Sequence, residues 1–97
     1  MNVFENIPYD DEQMGRRKLV DQKHLLIMQI ALKPGQVVPE HNANSNVHLL
    51  VLKGTVDVTL NMTTTTLKEG DLFAIAYQTP MSIRNVSDQN ATFLVIK

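Results

Sequence analysis

Residues 35–54 have the sequence Gly35-Gln-Val-Val-Pro-Glu-His41-Asn-Ala43-Asn-Ser-Asn-Val47-His48-Leu-Leu-Val-Leu-Lys-Gly54. The stretch begins directly after Pro34, and a Pro-Gly pair is a strong turn signal. Residues 42–46 have the polar composition of a loop, and residues 47–52 form an apolar run of the length of a buried strand. The stretch therefore predicts two short strands joined by a polar loop, with a glycine turn at each end.

The chain after residue 16 continues in the same way. Residues 55–62 alternate, and the apolar side of this strand is Val56, Val58, Leu60 and Met62. Strands are predicted at 16–21, 24–32, 36–40, 47–52, 55–62, 63–66, 72–75, 81–86 and 91–96. Short strands separated by turn residues, without helical periodicity, are typical of an all-β sandwich or barrel.

Residues 1–15 differ from the rest and are predicted to form an N-terminal arm, with residues 16–97 as a single barrel domain. Apolar residues of the arm are followed by acidic residues 10–12 and by Gly15, a pattern that allows a short helical turn over 9–14. The basic residues 16–18 are expected to be a solvated charge cluster of little energetic value.

Composition limits the classes of function. The chain has 97 residues, a formal net charge of −1 and no cysteine. Nucleic-acid-binding domains usually carry a basic surface, so no nucleic-acid partner is expected. The absence of cysteine excludes disulfides and thiolate metal ligands. No apolar run reaches the length of a membrane span, and the N-terminus lacks the pattern of a signal peptide, so a cytoplasmic protein without a membrane partner is expected.

The spacing of the turn glycines resembles the two motifs of the cupin family. The first cupin motif runs from a glycine to His-x-His, then to a glutamate, and ends at a second glycine; Gly35, His41 and Gly54 occupy that frame here. The second motif fits from Gly70 to Asn85. The resemblance covers residues 16–97 and implies a cupin-type jelly-roll β-barrel, also called a double-stranded β-helix, in a family whose members are often dimeric.

Many cupins hold a metal ion on three histidines and a glutamate, and most of these ligands are replaced here. Only His41 occupies an unambiguous ligand position, because Ala43 and Met81 replace histidines, and Val47 or, with a longer spacing, His48 replaces the glutamate. Alternation along the strand predicts that His48 points outward. Catalytic metal sites normally have about three protein ligands, so neither a metal nor another cofactor is expected. The alternative is a metal-dependent cupin enzyme, of dioxygenase or isomerase type, with an atypical divalent-metal site at His41, His48 and Met81.

The inward face implied by the resemblance predicts a mostly apolar barrel interior. Its expected lining is Pro39, His41, Ala43, Val47, Leu49, Val51, Met81, Ile83 and Asn85. The predicted ligand-binding residues are His41, Met81 and Asn85, with Tyr77 at the mouth of the barrel. Apolar walls with few polar groups are typical of small-molecule sites, which favours a non-catalytic binding, sensory or accessory role. A barrel filled by its own side chains is the other possibility. No catalytic residue is assigned.

Strands 24–32, 47–52 and 91–96 are apolar on both faces, and a small barrel can turn only one face inward. The outer face must be covered, because a large exposed apolar patch marks an interaction site. The N-terminal arm and a second copy of the chain are the two candidates. Since two-fold dimers are the commonest assembly, a homodimer is expected.

Overall fold

The computed structural model describes all 97 residues and contains nine β-strands. They are β1 (Gly15–Gln22), β2 (Leu25–Leu32), β3 (Val37–Asn42), β4 (Val47–Lys53), β5 (Thr55–Leu60), β6 (Thr63–Lys68), β7 (Leu72–Ile75), β8 (Pro80–Arg84) and β9 (Ala91–Ile96). The all-β prediction is confirmed, and every predicted strand is present. The helical turn predicted for residues 9–14 was wrong, because this segment contains only bends and irregular backbone. The chain has no helix that could cross a membrane.

The strands form two antiparallel sheets with the hydrophobic core between them. One sheet has the order β1-β2-β9-β4-β7 and the other the order β3-β8-β5-β6, so most neighbouring strands are distant in sequence. This is the arrangement of a jelly roll. The core is one cluster of 15 buried hydrophobic residues, of which Phe93, Leu32 and Leu49 are among the largest.

Gly54 is required both by its backbone conformation and by its surroundings. Its φ of +82° lies in the left-handed region that side chains disfavour. A Cβ at this position would also lie 2.5 Å from the carbonyl oxygen of Asn90 and 2.9 Å from the Cα of Ala91. Gly35 has a similar φ of +84°, but a Cβ there would meet nothing within 4 Å. The turn after β4 therefore allows the start of β9 to approach closely.

The β5–β6 hairpin closes at Asn61 and Met62, which both have positive φ, of 47° and 69°. Two successive positive φ values are those of a type I′ turn, which favours Asn-Gly. Met62 is 96% exposed at the tip. The prediction that Met62 continues the apolar side of β5 is corrected, because the strand ends at Leu60 and the chain reverses there.

Strand β6 lies at the edge of its sheet and contains four consecutive threonines, residues 63–66. They are exposed, and two of them bond to β5: Thr64 Oγ1 lies 2.8 Å from Thr59 Oγ1, and Thr66 Oγ1 donates to Asp57 Oδ1 at 2.7 Å. Leu67 is the one buried residue of the strand. The prediction that β-branched threonines form an edge strand agrees with this position.

The N-terminal arm crosses the outer face of the five-stranded sheet. A Cβ on Gly15 would overlap the carbonyl oxygen of Pro8, so the arm touches the sheet backbone at this point. Farther along, the buried Gln29 amide donates to the Val3 carbonyl oxygen at 2.9 Å and to Thr92 Oγ1 at 2.9 Å. The arm therefore supplies a hydrogen-bond acceptor to a polar group that it buries, as burial of an amide requires.

Charged side chains hold the arm as well. The Arg17 guanidinium donates to the carbonyl oxygens of Asn6 and Glu5 at 3.0 and 3.1 Å. Lys33 forms an ion pair with Asp11, and this hydrogen-bonded ammonium lowers the pKa of the Asp11 carboxyl. Because Asp11 is exposed, the pair is of the kind that contributes little to folding.

The arm leaves part of the outer face uncovered. Two cross-strand rows of the sheet remain there, Val20–Ile27–Ile96–His48–Ala74 and Leu94–Leu50–Leu72. Ile27, Leu50, Leu94 and Ile96 are half-buried, and Leu72 is 63% exposed. We call these two rows the outer apolar rows. The expectation that the arm covers part of the outer face agrees with this arrangement.

Candidate functional site

A cavity of about 170 Å³ lies between the two sheets and opens to solvent on one side. Of its 15 lining residues 11 are hydrophobic, which agrees with the mostly apolar interior predicted from the sequence. The wall is formed mainly by pairs of residues from β2, β4, β8 and β9: Met28 and Ile30, Val47 and Leu49, Met81 and Ile83, and Phe93 and Val95. The polar lining consists of Arg16, His41, Asn44 and Lys97.

His41 is brought to the cavity by an irregularity in β3. The pairing of β3 with β8 shifts register between Val38 and His41, and His41 then lies opposite Met81. Bulges of this kind redirect side chains at the rims of barrels. The His41 Nδ1 lies 2.9 Å from the Pro39 carbonyl oxygen, which can only accept, so Nδ1 carries a proton. In the neutral ring, Nε2 is therefore a free acceptor.

The other positions implied as ligands by the cupin resemblance are apolar and buried. Ala43, Val47 and Met81 all line the cavity, and none is more than 6% exposed. His48 is exposed on the opposite face of β4, where it pairs with Ile96 of β9. The structure thus brings His41 and Met81 together but separates His48 from both. No group of three or more histidine, aspartate or glutamate side chains has the spacing of a metal site.

Asn85, predicted as a ligand-binding residue, is not part of the cavity lining. The strand β8 ends at Arg84, so the alternation that placed Asn85 inside the barrel no longer applies. The buried Asn85 amide donates to the carbonyl oxygens of Leu32 and Gln89 at 3.0 and 2.7 Å, and its oxygen accepts from Ser87 Oγ at 2.8 Å. Through these hydrogen bonds the Asn85 side chain fixes the conformation of the β8–β9 loop.

Tyr77 also lies outside the cavity lining and is 57% exposed. It belongs to the loop between β7 and β8, which pairs with Ala43 through a bond from the Gln78 N–H to the Ala43 carbonyl oxygen, 2.7 Å. The Tyr77 N–H donates to Asn46 Oδ1 at 2.9 Å. The loop therefore borders the site, but the phenol ring predicted at its mouth does not form its wall. Of the other predicted lining residues, Pro39 and Val51 are also absent from the wall.

Sequence reasoning missed nine lining residues, of which three are polar: Arg16, Asn44 and Lys97. Arg16 pairs with the inward-facing Ile30 across β1 and β2, so its side chain belongs to the inner face. Lys97 continues the inward alternation of Phe93 and Val95 and donates from Nζ to Asn44 Oδ1 at 2.9 Å. Continued alternation along the last strand was the available signal for Lys97. For Arg16 the signal is the register of β1 on β2, which the basic run 16–18 does not reveal by itself.

Comparison with known proteins identifies the family. The family model described as cupin domain matches residues 28–97, which is most of the chain. The chain belongs to the cupin family. An uncharacterised protein of Methanocaldococcus jannaschii is 35% identical over 81 residues, a match that spans 82% of this chain and 70% of the relative.

Solved cupin structures confirm the double-stranded β-helix fold. An RmlC-like cupin family protein from Methanocaldococcus jannaschii superposes with a TM-score of 0.82 at 32% identity, covering 91% of this chain and 82% of that one. An uncharacterised conserved protein with a double-stranded β-helix domain from Klebsiella pneumoniae superposes with a TM-score of 0.90 over 99% of this chain and 85% of that one, at 17% identity. At that identity the likeness concerns the fold alone.

Proposed function

We propose that this cupin binds a compact, largely apolar small molecule in its barrel cavity and catalyses no reaction there. The observation that carries the proposal is the wall itself: Ala43, Val47 and Met81 stand where the resemblance places metal ligands, and all three face the cavity as apolar side chains. Apolar walls with few polar groups are the usual lining of small-molecule sites.

The size of the cavity limits the molecule. An apolar cavity of about 150 Å³ accepts benzene, and this one has a volume of about 170 Å³. The buried part of the ligand is therefore about the size of a single six-membered ring or a short branched chain. A molecule of that size cannot gain much affinity from its apolar surface alone, so dissociation constants in the millimolar range, about −4 kcal/mol, are expected for a neutral probe.

Titration with toluene, followed by the amide resonances around the cavity, tests the proposal. Ala43→Leu places a larger side chain in the cavity and should abolish binding while the protein stays folded. Ala76→Leu adds the same atoms at an exposed loop position and should bind as the parent does. Binding that survives Ala43→Leu, or no binding to the parent protein, would refute the proposal.

The alternative function, a metal-dependent enzyme, has less support. His41 is the only histidine or carboxylate in the lining, and His48 lies on the other face of β4. Metal analysis of protein purified without an immobilised-nickel step decides between the two. Near-stoichiometric iron, manganese, zinc or copper that disappears in His41→Ala would favour the enzyme and contradict the binding proposal.

We also propose that two copies associate through the outer apolar rows. The support is that the arm covers the polar part of the outer face, around Gln29 and Thr92, and leaves these rows in contact with solvent. A second copy would bury aliphatic side chains on both sides, as two-fold symmetric interfaces do. Light scattering, which gives the mass of the protein in solution, tests this proposal.

A further inference from the structure

We infer that the ligand is a small organic monoanion, a carboxylate on a compact apolar body, whose acid group binds the two cationic residues of the cavity lining, Arg16 and Lys97. This inference rests on the proposed binding function and specifies the class of ligand. It comes from the charges around the cavity rather than from its apolar wall.

Arg16 is a cation without a partner. Each of its basic neighbours on β1 is engaged: Arg17 bonds to Gln29 and to the arm, and Lys18 forms an ion pair with Asp21 at 3.3 Å. Arg16 is a lining residue of the cavity, and its guanidinium makes no hydrogen bond or ion pair within the protein. A guanidinium has five N–H donors in a planar fork, all of which are free to bind a ligand here.

The second cation lies on the same lining. Lys97 Nζ gives one hydrogen bond to Asn44, which leaves further donors of its ammonium group for a ligand. No aspartate or glutamate side chain lines the cavity, although the chain as a whole carries a formal net charge of −1. One arginine and one lysine, with no acidic side chain in the same lining, favour the binding of an anion there.

The shape of the site favours a carboxylate over a phosphate. The planar arginine fork can bind either group through two parallel hydrogen bonds. Phosphate sites, however, usually add a nest of backbone N–H groups on a glycine-rich turn, and no glycine lines this cavity. The apolar body of the ligand then occupies the space between Met28, Ile30 and Phe93, as the cavity volume allows.

The test compares three probes with the same ring: benzoate, benzamide and phenyl phosphate. Benzoate should bind at least tenfold more tightly than benzamide, because each of the two cations is worth about fivefold for a partly exposed ion pair. Arg16→Gln should weaken benzoate about fivefold and leave benzamide unchanged, and the double variant Arg16→Gln/Lys97→Gln should remove the preference. Arg84→Gln, an exposed position on β8 outside the cavity, is the matched control and should behave as the parent. Raising the salt concentration to about 1 M should reduce the ratio of the benzamide to the benzoate dissociation constant, because the Debye length falls to about 3 Å.

The outcomes separate this inference from the function on which it rests. Equal binding of benzoate and benzamide, or a preference that persists in the double variant, refutes the inference while the cavity remains a binding site. Tighter binding of phenyl phosphate than of benzoate refutes the assignment to a carboxylate. Failure of all three probes to bind refutes both the inference and the binding function. Circular dichroism of each variant establishes that the fold is retained.

Discussion

Replacing Gly54 with alanine should cost far more stability than the same change at Gly35. Both glycines have nearly the same φ, +82° and +84°, and a side chain in the left-handed region costs about 1–2 kcal/mol. Only at Gly54 does the new Cβ also overlap backbone atoms, at 2.5 Å from Asn90 O and 2.9 Å from Ala91 Cα. Overpacking against groups that cannot rotate away costs about a further 1–3 kcal/mol.

The expected loss in the free energy of unfolding is therefore about 1 kcal/mol for Gly35→Ala, because lower unfolded-state entropy offsets part of the strain. The same offset applies at Gly54, where the overlap is added, so about 2–4 kcal/mol is expected for Gly54→Ala. The free energy of unfolding of a domain of this size is about 5–15 kcal/mol, so Gly54→Ala should lose a large part of its stability. Urea unfolding followed by circular dichroism measures both values, with unchanged m-values expected.

Gly70→Ala is a second control, because Gly70 has a φ of +87° and open space around its Cα. It should behave as Gly35→Ala does. Equal losses of unfolding free energy at Gly54 and at the two control positions would show that the close approach of β9 adds nothing to the cost of the side chain. The steric explanation for Gly54 would then be wrong.

Three further predictions concern the hairpin, the β8–β9 loop and the outer face. Met62→Gly should raise the free energy of unfolding by about 0.5–1 kcal/mol, because it removes left-handed strain and completes an Asn-Gly turn; a loss of stability in urea unfolding would contradict this. Asn85→Ala should lower the free energy of unfolding by about 2–4 kcal/mol, because the carbonyl oxygens of Leu32 and Gln89 lose their donor. The variant should still bind toluene. Loss of toluene binding with the fold retained would show that Asn85 belongs to the site. Light scattering should give the mass of a dimer, and Leu50→Glu in the outer apolar rows should give a monomer, whereas Thr64→Glu on exposed β6 should stay dimeric; a parent protein of monomer mass at working concentrations would refute the dimer.

Most of the fold could be predicted from the sequence because short strands carry a local signal. Alternation within residues 47–52 identified Val47 and Leu49 as inward positions, and the same rule placed His48 outside. His41, Ala43 and Met81 were also placed on the cavity wall correctly, since the spacing of the turn glycines fixes the frame in which the strands are counted.

The errors arose where alternation ends or where strands pair at long range. Asn85 and Met62 lie just beyond the ends of β8 and β5. The chain turns there, so alternation no longer predicts which face a side chain occupies. Arg16 faces the cavity because β1 is registered on β2, a pairing that depends on the whole sheet. Three adjacent basic residues place charges on both faces of a strand, so the sequence alone does not distinguish the one that enters a site.

The threonine run of β6 has a consequence for how this hairpin finds its register. A two-residue slip would keep every threonine of residues 63–66 on its own face, so these four side chains cannot by themselves select one pairing over another. The selection comes from the residues beside the run. A slip would remove Leu67 from its place opposite Val56, whereas Thr64 could take the place of Thr66 opposite Asp57. The register of this repetitive strand is therefore set by its few distinctive contacts.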